Sequence, residues 1–207
     1  MAVWQYQLNV IPRKAILEKY GEIPNALFID HVNWEIHWEN VKFESGFPEP
    51  NFEDAKTIKW WTNAKLDVYE ISDQIDKLVS RAGWGKDSLN SMNWKGSSKN
   101  KEDNDCFISF DQNTLLIGQF HFRTDLRDLE NTTIFMNGML KICEQNDLMV
   151  FNTDGVLFEP KLKLISEDLK KSNAIKFLTD PIEFLEKIGK EHDKKSRFWS
   201  KIKSILE

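Results

Sequence analysis

Three side chains with metal-binding donors, His31, Glu35 and His37, lie close together in the segment 27–39. The segment alternates apolar and polar residues, which predicts an amphipathic strand with these three side chains on its polar face. Since alternate strand residues lie roughly 6.6 to 7 Å apart, one ion could bridge Glu35 and His37 but would not also reach His31. A metal site would therefore need help from elsewhere, such as His121. No zinc-type spacing such as HExxH is present, and we favour a solvent-facing polar strand surface.

A second constellation suggests metal-dependent hydrolysis. Asp154, Glu159 and Lys161 lie on and after a predicted hairpin, where two carboxylates could bind Mg²⁺ and the lysine could polarise a water. Pro160 separates the two key residues of the Glu-x-Lys pattern. A turn followed by the end of a strand explains the same residues. A metal-dependent hydrolase or nuclease remains the alternative to a binding function.

The cysteines and the glycine-containing motifs do not indicate an enzyme. Cys106 and Cys143 are too far apart for a CxxC pair, and two thiols do not form a disulfide framework, which predicts a reducing, cytoplasmic compartment. The segment 83–88 lacks the spacing of a phosphate-binding loop, and 152–155 lacks the end ligands of a calcium loop. We predict no catalytic residue, no metal and no cofactor.

Charge is distributed unevenly along the 207 residues. The net charge is −5, but residues 187–207 hold seven basic and three acidic residues, which leaves 21 basic and 30 acidic residues before them. The end of the chain is thus a basic tail or helix on an acidic body. An acidic body makes nucleic acid an improbable ligand and suits a basic protein partner. No apolar run approaches the length needed to cross a membrane.

Hydrophobic periodicity and turn residues predict the elements that would carry these groups. Besides 27–39, strands are predicted at 3–11, 106–110, 115–123, 148–151 and 156–158. Helices are predicted at 13–20, 68–81 and 126–146, from Ser166, and after Asp180. Because the later strands occur in hairpin pairs rather than alternating with helices, we expect one α+β domain over 1–207, with helices packed on a mostly antiparallel sheet.

The segment 83–105 has no hydrophobic period and is predicted to be a long polar loop. It carries two tryptophans, and tryptophan is enriched at the centres of protein interfaces, where charged residues form the rim. We therefore predict a partner-binding site formed by Trp84, Asp87, Trp94, Glu102, Asp103 and Asp105. The competing interpretation is that both rings fold back and anchor the loop on the core.

The residues from 105 to 160 also carry a family resemblance. Phe120-His121-Phe122-Arg123-Thr124-Asp125-Leu126-Arg127, a helix, Leu148-Met149-Val150-Phe151 and then Asp154-Gly155-Val156-Leu157-Phe158-Glu159-Pro160 resemble bacterial immunity proteins of polymorphic or contact-dependent toxin systems. The resemblance implies an acidic cytoplasmic protein that binds and blocks a cognate toxin domain. It brings no catalytic residues with it. A structural or regulatory domain of another kind is a third possibility.

Overall fold

The computed structural model describes residues 2–41, 48–84, 88–97, 102–187 and 190. Its strands form one antiparallel sheet in the order β2-β3-β4-β1-β5-β6. The strands are Gln5–Pro12 (β1), Ser91–Lys95 (β2), Asp105–Phe110 (β3), Ile117–Asp125 (β4), Leu148–Phe151 (β5) and Leu157–Phe158 (β6). The helices are Arg13–Tyr20 (α1), His31–Asn40 (α2), Val68–Ile75 (α3), Leu129–Gln145 (α4), Leu162–Lys171 (α5), Asn173–Thr179 (α6) and 181–187 (α7). The predicted α+β class with an antiparallel sheet is confirmed.

One face of the sheet carries the core. Leu8 of β1 lies opposite Phe122 of β4, which lies opposite Cys106 of β3. Helix α4 packs on this face, with the rings of Phe122 and Phe135 edge to face at 6.1 Å. Helix α3 packs in turn on α4 and buries Ile71 and Ile75, as its helical spacing predicted. Among the described helices, none is long and apolar enough to cross a bilayer.

The opposite face of the central strands is polar. His121 of β4 lies between Asn9 of β1 and Phe107 of β3, and Arg123 lies next to Gln7. These side chains are half-buried. Because successive strand residues point to opposite faces, the alternation that fills the core also places these polar groups together.

Both predicted hairpins form, and side chains fix their turns. The Asp111 carboxylate accepts hydrogen bonds from the amides of Asn113 and Thr114 before β4 begins. Between β5 and β6, the Asn152 side-chain oxygen accepts from the amides of Asp154 and Val156. These bonds to the chain's own backbone are the mechanism by which Asp and Asn favour turns.

The predicted strand at 27–39 is wrong, because residues 31–40 form helix α2. Asp30 caps the helix, and its carboxylate accepts hydrogen bonds from the Asn33 amide at 3.0 Å and the Asn33 side chain at 2.7 Å. The segment lies outside the sheet, and no residue of α2 is buried. The alternation of apolar and polar residues therefore does not correspond to a buried face of a strand. The Asp30 cap determines the local structure.

The predicted structureless segment 83–105 contains strand β2. Its backbone pairs with β3 along one edge, with Trp94 opposite Cys106. On the other edge, the Ala82 amide donates to the Asn93 carbonyl at 2.8 Å and the Lys95 amide donates to the Ser80 carbonyl at 2.9 Å. Backbone pairing on both sides makes a strand of a sequence without apolar alternation.

Two glycines with a left-handed backbone conformation separate the cost of backbone strain from the cost of a steric clash. Gly155 has φ 88°, and a Cβ there would lie 2.1 Å from the Leu27 carbonyl oxygen; Gly21 has φ 77° and nothing within 4 Å. We expect Gly21→Ala to cost about 1 to 2 kcal/mol of unfolding free energy from backbone strain alone. Gly155→Ala should cost clearly more, because the backbone of residues 27 and 155 must also separate. Urea denaturation of both variants measures the difference, and equal losses would show that the close approach does not contribute.

Candidate functional site

Trp94, one of the two predicted interface tryptophans, is an interior side chain. It is 1% exposed, and its indole Nε1 donates to the Asp76 carboxylate at 2.6 Å. The Arg81 guanidinium lies over the ring at 4.4 Å and also donates to Asp76, at 2.5 and 3.1 Å. The prediction that Trp94 anchors a partner is therefore wrong. The competing interpretation, a ring that fixes its own segment to the core, describes it.

Two of the predicted rim acids are neutralised within the protein. Asp105 is buried and receives hydrogen bonds from Arg123 at 2.6 Å and Lys95 at 3.0 Å. Asp103 pairs with the same lysine and accepts from the indole of Trp4 at 2.9 Å. Burial opposes the charge of Lys95, but its hydrogen bonds with the two aspartates raise its pKa. These carboxylates hold the sheet edge together, and their charge is balanced by Lys95 and Arg123, so their role in steering a basic partner stays a prediction.

The other two acids of the predicted site, Glu102 and Asp87, do not form a charged rim among the described residues. Glu102 is half-buried and accepts a hydrogen bond from the Asn104 side chain at 3.0 Å. It also covers Gly96, where an added Cβ would lie 2.8 Å from the Glu102 Cγ atom. Asp87 lies outside the described residues. Glu102 thus serves local packing as well.

Trp84 is 61% exposed and lies beside a groove of about 350 Å³ at the outer edge of β2. The residues that line the groove include Tyr69, Arg81, Trp84, Ser91, Met92 and Phe110. Tyr69 is exposed as well, although the sequence analysis did not single it out. The exposure of Tyr69 could be predicted from the spacing of Ile71 and Ile75, because a helix that buries these two residues turns Tyr69 outward.

The backbone at this edge is only partly paired. The bonds between 80–82 and β2 end at Asn93, and among the described residues no backbone bond continues them to Ser91. Asn90 bonds to Phe110 of β3 and Gly96 bonds to Asn104 just before β3, so alternation turns the amide and carbonyl of Ser91 away from β3. In the described part of the chain, the groove therefore combines two exposed aromatic rings with one outward-facing backbone group of β2, at Ser91, and such groups can pair with an added strand.

The histidines of the metal hypothesis lie apart. The Nε2 atom of His31 lies 3.8 Å from the Asp154 carboxylate, and the ring of His37 lies edge-on to Trp34 at 5.7 Å. His121 stacks on Phe107 on the polar face of the sheet. The change from strand to helix therefore removes the geometry on which the predicted pairing of Glu35 and His37 rested.

The residues of the hydrolase alternative have separate partners. Glu159 binds the Arg13 guanidinium, and Lys161 lies 4.0 Å from Glu144. Asp154 stands exposed at the β5–β6 turn. Across the described ranges, no group of three or more His, Cys, Asp or Glu side chains is placed to hold a metal ion.

Both cysteines lie in the interior. Burial raises the pKa of the thiols of Cys106 and Cys143. A raised pKa disfavours the thiolate, which is the nucleophilic form of cysteine. Neither side chain therefore has the properties of a reactive cysteine.

Comparison with known proteins gives no relative from which residue roles could be transferred. No family model, curated protein or solved structure matches this chain. The candidate site therefore rests on its own geometry.

The two tryptophans should separate in a stability measurement. Trp94→Ala removes a buried ring together with its hydrogen bond to Asp76 and its contact with Arg81, so we expect a loss of about 3 to 5 kcal/mol of unfolding free energy. Trp84→Ala should change it by no more than about 0.5 kcal/mol, since exposed substitutions rarely do more. Chemical denaturation of both variants tests this, and similar losses would contradict the assignment of one ring to the core and one to the surface.

His121 should make the fold sensitive to acid. Burial, helped by the nearby Arg123 and opposed by Asp105, lowers the pKa of His121 from 6.5 to about 4. The unfolded chain therefore binds a proton that the folded chain resists, so this destabilisation is absent above pH 6.5 and grows as the pH falls towards 4. It reaches at most about 3 kcal/mol.

The matching variant is His121→Gln, which keeps a polar side chain on the sheet and removes the titration. Unfolding free energies between pH 7 and pH 4 should fall less steeply for the variant than for the parent chain. Parallel curves would show that His121 titrates normally in the folded state.

Proposed function

We propose that this chain is a protein-binding inhibitor of the immunity type, which neutralises a cognate toxin domain by binding it directly. The observation that carries the proposal is the groove beside Trp84, where exposed aromatic side chains lie next to the outward-facing backbone of Ser91. The acidic body and the resemblance of residues 105–160 to bacterial immunity proteins support the same function.

The groove suggests how a toxin domain would be held. An extended segment of the partner pairs with the outward-facing backbone of Ser91, and one of its apolar side chains enters the groove between Trp84 and Tyr69. Main-chain hydrogen bonds supply affinity in this mode, whereas the groove selects the side chain. Large rigid rings contribute strongly because they lose little conformational freedom on binding.

The test uses the product of a neighbouring toxin gene as the partner. Trp84→Ala should mainly speed dissociation, by about 2 kcal/mol or more, because it removes an apolar anchor. Ser91→Pro should also weaken binding, since it removes an outward-facing amide that strand addition uses. Surface plasmon resonance gives both rate constants.

Leu129→Ala is the control, because Leu129 is a 76% exposed apolar side chain on α4. Thermal unfolding of each variant checks that the fold is intact. Unchanged kinetics for Trp84→Ala and Ser91→Pro, in folded variants that still bind the toxin domain, would exclude the groove as the interface. A toxin domain that the parent chain neither binds nor inhibits would refute the immunity function itself.

A further inference from the structure

Arg81 is the one charged side chain among the described residues that line the groove beside Trp84. Its guanidinium carbon lies 4.4 Å from the centre of the Trp94 ring. Its Nε and Nη2 atoms donate to the Asp76 carboxylate at 2.5 and 3.1 Å, and the Trp94 indole donates to the same carboxylate at 2.6 Å. The ring and the paired carboxylate hold the guanidinium in one orientation beside the groove.

The accessible surface of Arg81 is the outer face of its guanidinium. Trp94 is 1% exposed and covers the inner face, whereas the Arg81 side chain keeps 35% of its surface exposed. Asp76 occupies the edge that carries Nε and Nη2. Tyr69 and Trp84 line the same groove, but across the described residues no second aromatic ring lies over this guanidinium. A side chain that enters the groove therefore meets the outer face of Arg81.

The charges at this face favour a neutral side chain. A lysine or arginine of the partner would meet the Arg81 cation, and an aspartate or glutamate would meet the Asp76 carboxylate that already pairs with it. Like charges at close range cost free energy. An aliphatic side chain would gain burial alone, whereas an aromatic ring also places its electron-rich face over the cation. Arginine stacks on such rings through its planar group.

We propose that the groove beside Trp84 is specific for an aromatic side chain of the partner, which stacks on the outer face of Arg81. The guanidinium then lies between Trp94 and the partner's ring. Asp76 and Trp94 are positioning residues, because they fix the guanidinium before the partner arrives and so reduce the freedom lost on binding. The inference rests on the proposed function and identifies the side chain that the groove accepts.

The test uses three short peptides and the full chain. Each peptide is acetyl-Thr-Thr-X-Thr-Thr-amide, where X is phenylalanine, cyclohexylalanine or glutamate. Cyclohexylalanine resembles phenylalanine in shape and has a larger apolar surface, but it has no π electrons. Two-dimensional NMR spectra of the isotope-labelled chain follow binding through the indole signal of Trp84, which is identified by its absence from the spectrum of Trp84→Ala.

The phenylalanine peptide should bind about two- to fivefold more tightly than the cyclohexylalanine peptide, which is the gain expected from stacking on a partly exposed cation. A groove that offered only apolar contact would favour cyclohexylalanine instead, because burial scales with apolar area. The glutamate peptide should bind more weakly than either. This comparison uses the parent chain and does not depend on the folding of any variant.

A pair of variants locates the preference. Arg81→Gln removes the cation and keeps a polar side chain, so it should abolish the advantage of phenylalanine over cyclohexylalanine. The matched control is Arg127→Gln. Arg127 also lies over a tryptophan, Trp4, at 4.6 Å and also pairs with an aspartate, Asp125, but it does not line the groove. The control should keep the preference, and thermal unfolding of both variants checks their folds.

Three results would overturn the proposal. They are equal or tighter binding of cyclohexylalanine, tighter binding of glutamate, which would assign Arg81 to a carboxylate, and no shift of the Trp84 signal with any peptide. A failure of the proposed function looks different. A toxin domain that binds the parent chain, together with equal peptide affinities, would refute only the aromatic specificity. A preference for phenylalanine without binding of the toxin domain would refute only the immunity function.

Discussion

The pairing of β1 with both β4 and β5 is the constraint on which the rest of the fold depends. The first strand of the chain lies between two later hairpins, so the hairpins belong to one sheet only through β1. The same pairing sets Leu8 beside Phe122 and gives α4 a continuous apolar surface. These contacts are long-range, and their closure costs chain entropy that the buried face must outweigh. The edge strand β2 is added to this centre through β3.

The charged residues near β2 stabilise the fold through ion pairs with one another. Asp105 and Arg123 lie opposite each other on β3 and β4, and Lys95 joins them from β2. A buried carboxylate must find cations or hydrogen-bond donors, because its desolvation is otherwise too costly. From composition alone, such residues are taken for acidic surface. In the structure their charge is balanced by neighbouring cations of the same chain. Electrostatic arguments about a partner must therefore use acids outside this network.

How much of this could be predicted from the sequence depends on whether a local signal exists. β1 alternates clearly, and Asp111 and Gly155 mark turns, so the hairpins and the fold class could be predicted. β2 could not, because Ser91-Met92-Asn93-Trp94-Lys95 pairs through its backbone and has no apolar alternation. In residues 27–39 the alternation of apolar and polar residues predicted a strand, whereas the Asp30 cap favours the helix that forms. For the candidate site, the composition of the loop indicated two tryptophans but not which of them was buried, since Asp76 and Arg81 reach Trp94 only in the folded chain.

Some tryptophans are buried and others are exposed, and the exposed ones are candidates for binding a partner. Trp60, Trp61 and Trp94 are buried, whereas Trp38 and Trp84 are more than half exposed. Exposing a large ring gives up about 25 cal/mol for each Å² of apolar area that burial would remove from water. A partner can recover that free energy, and this favours interfaces at rings that the core does not use. Trp84 lies beside the outward-facing backbone of Ser91, whereas Trp38 stacks at 5.9 Å on Trp34, whose indole donates to the buried Asp54. At Trp84 an extended partner segment would therefore gain apolar burial and a backbone hydrogen bond at the same place.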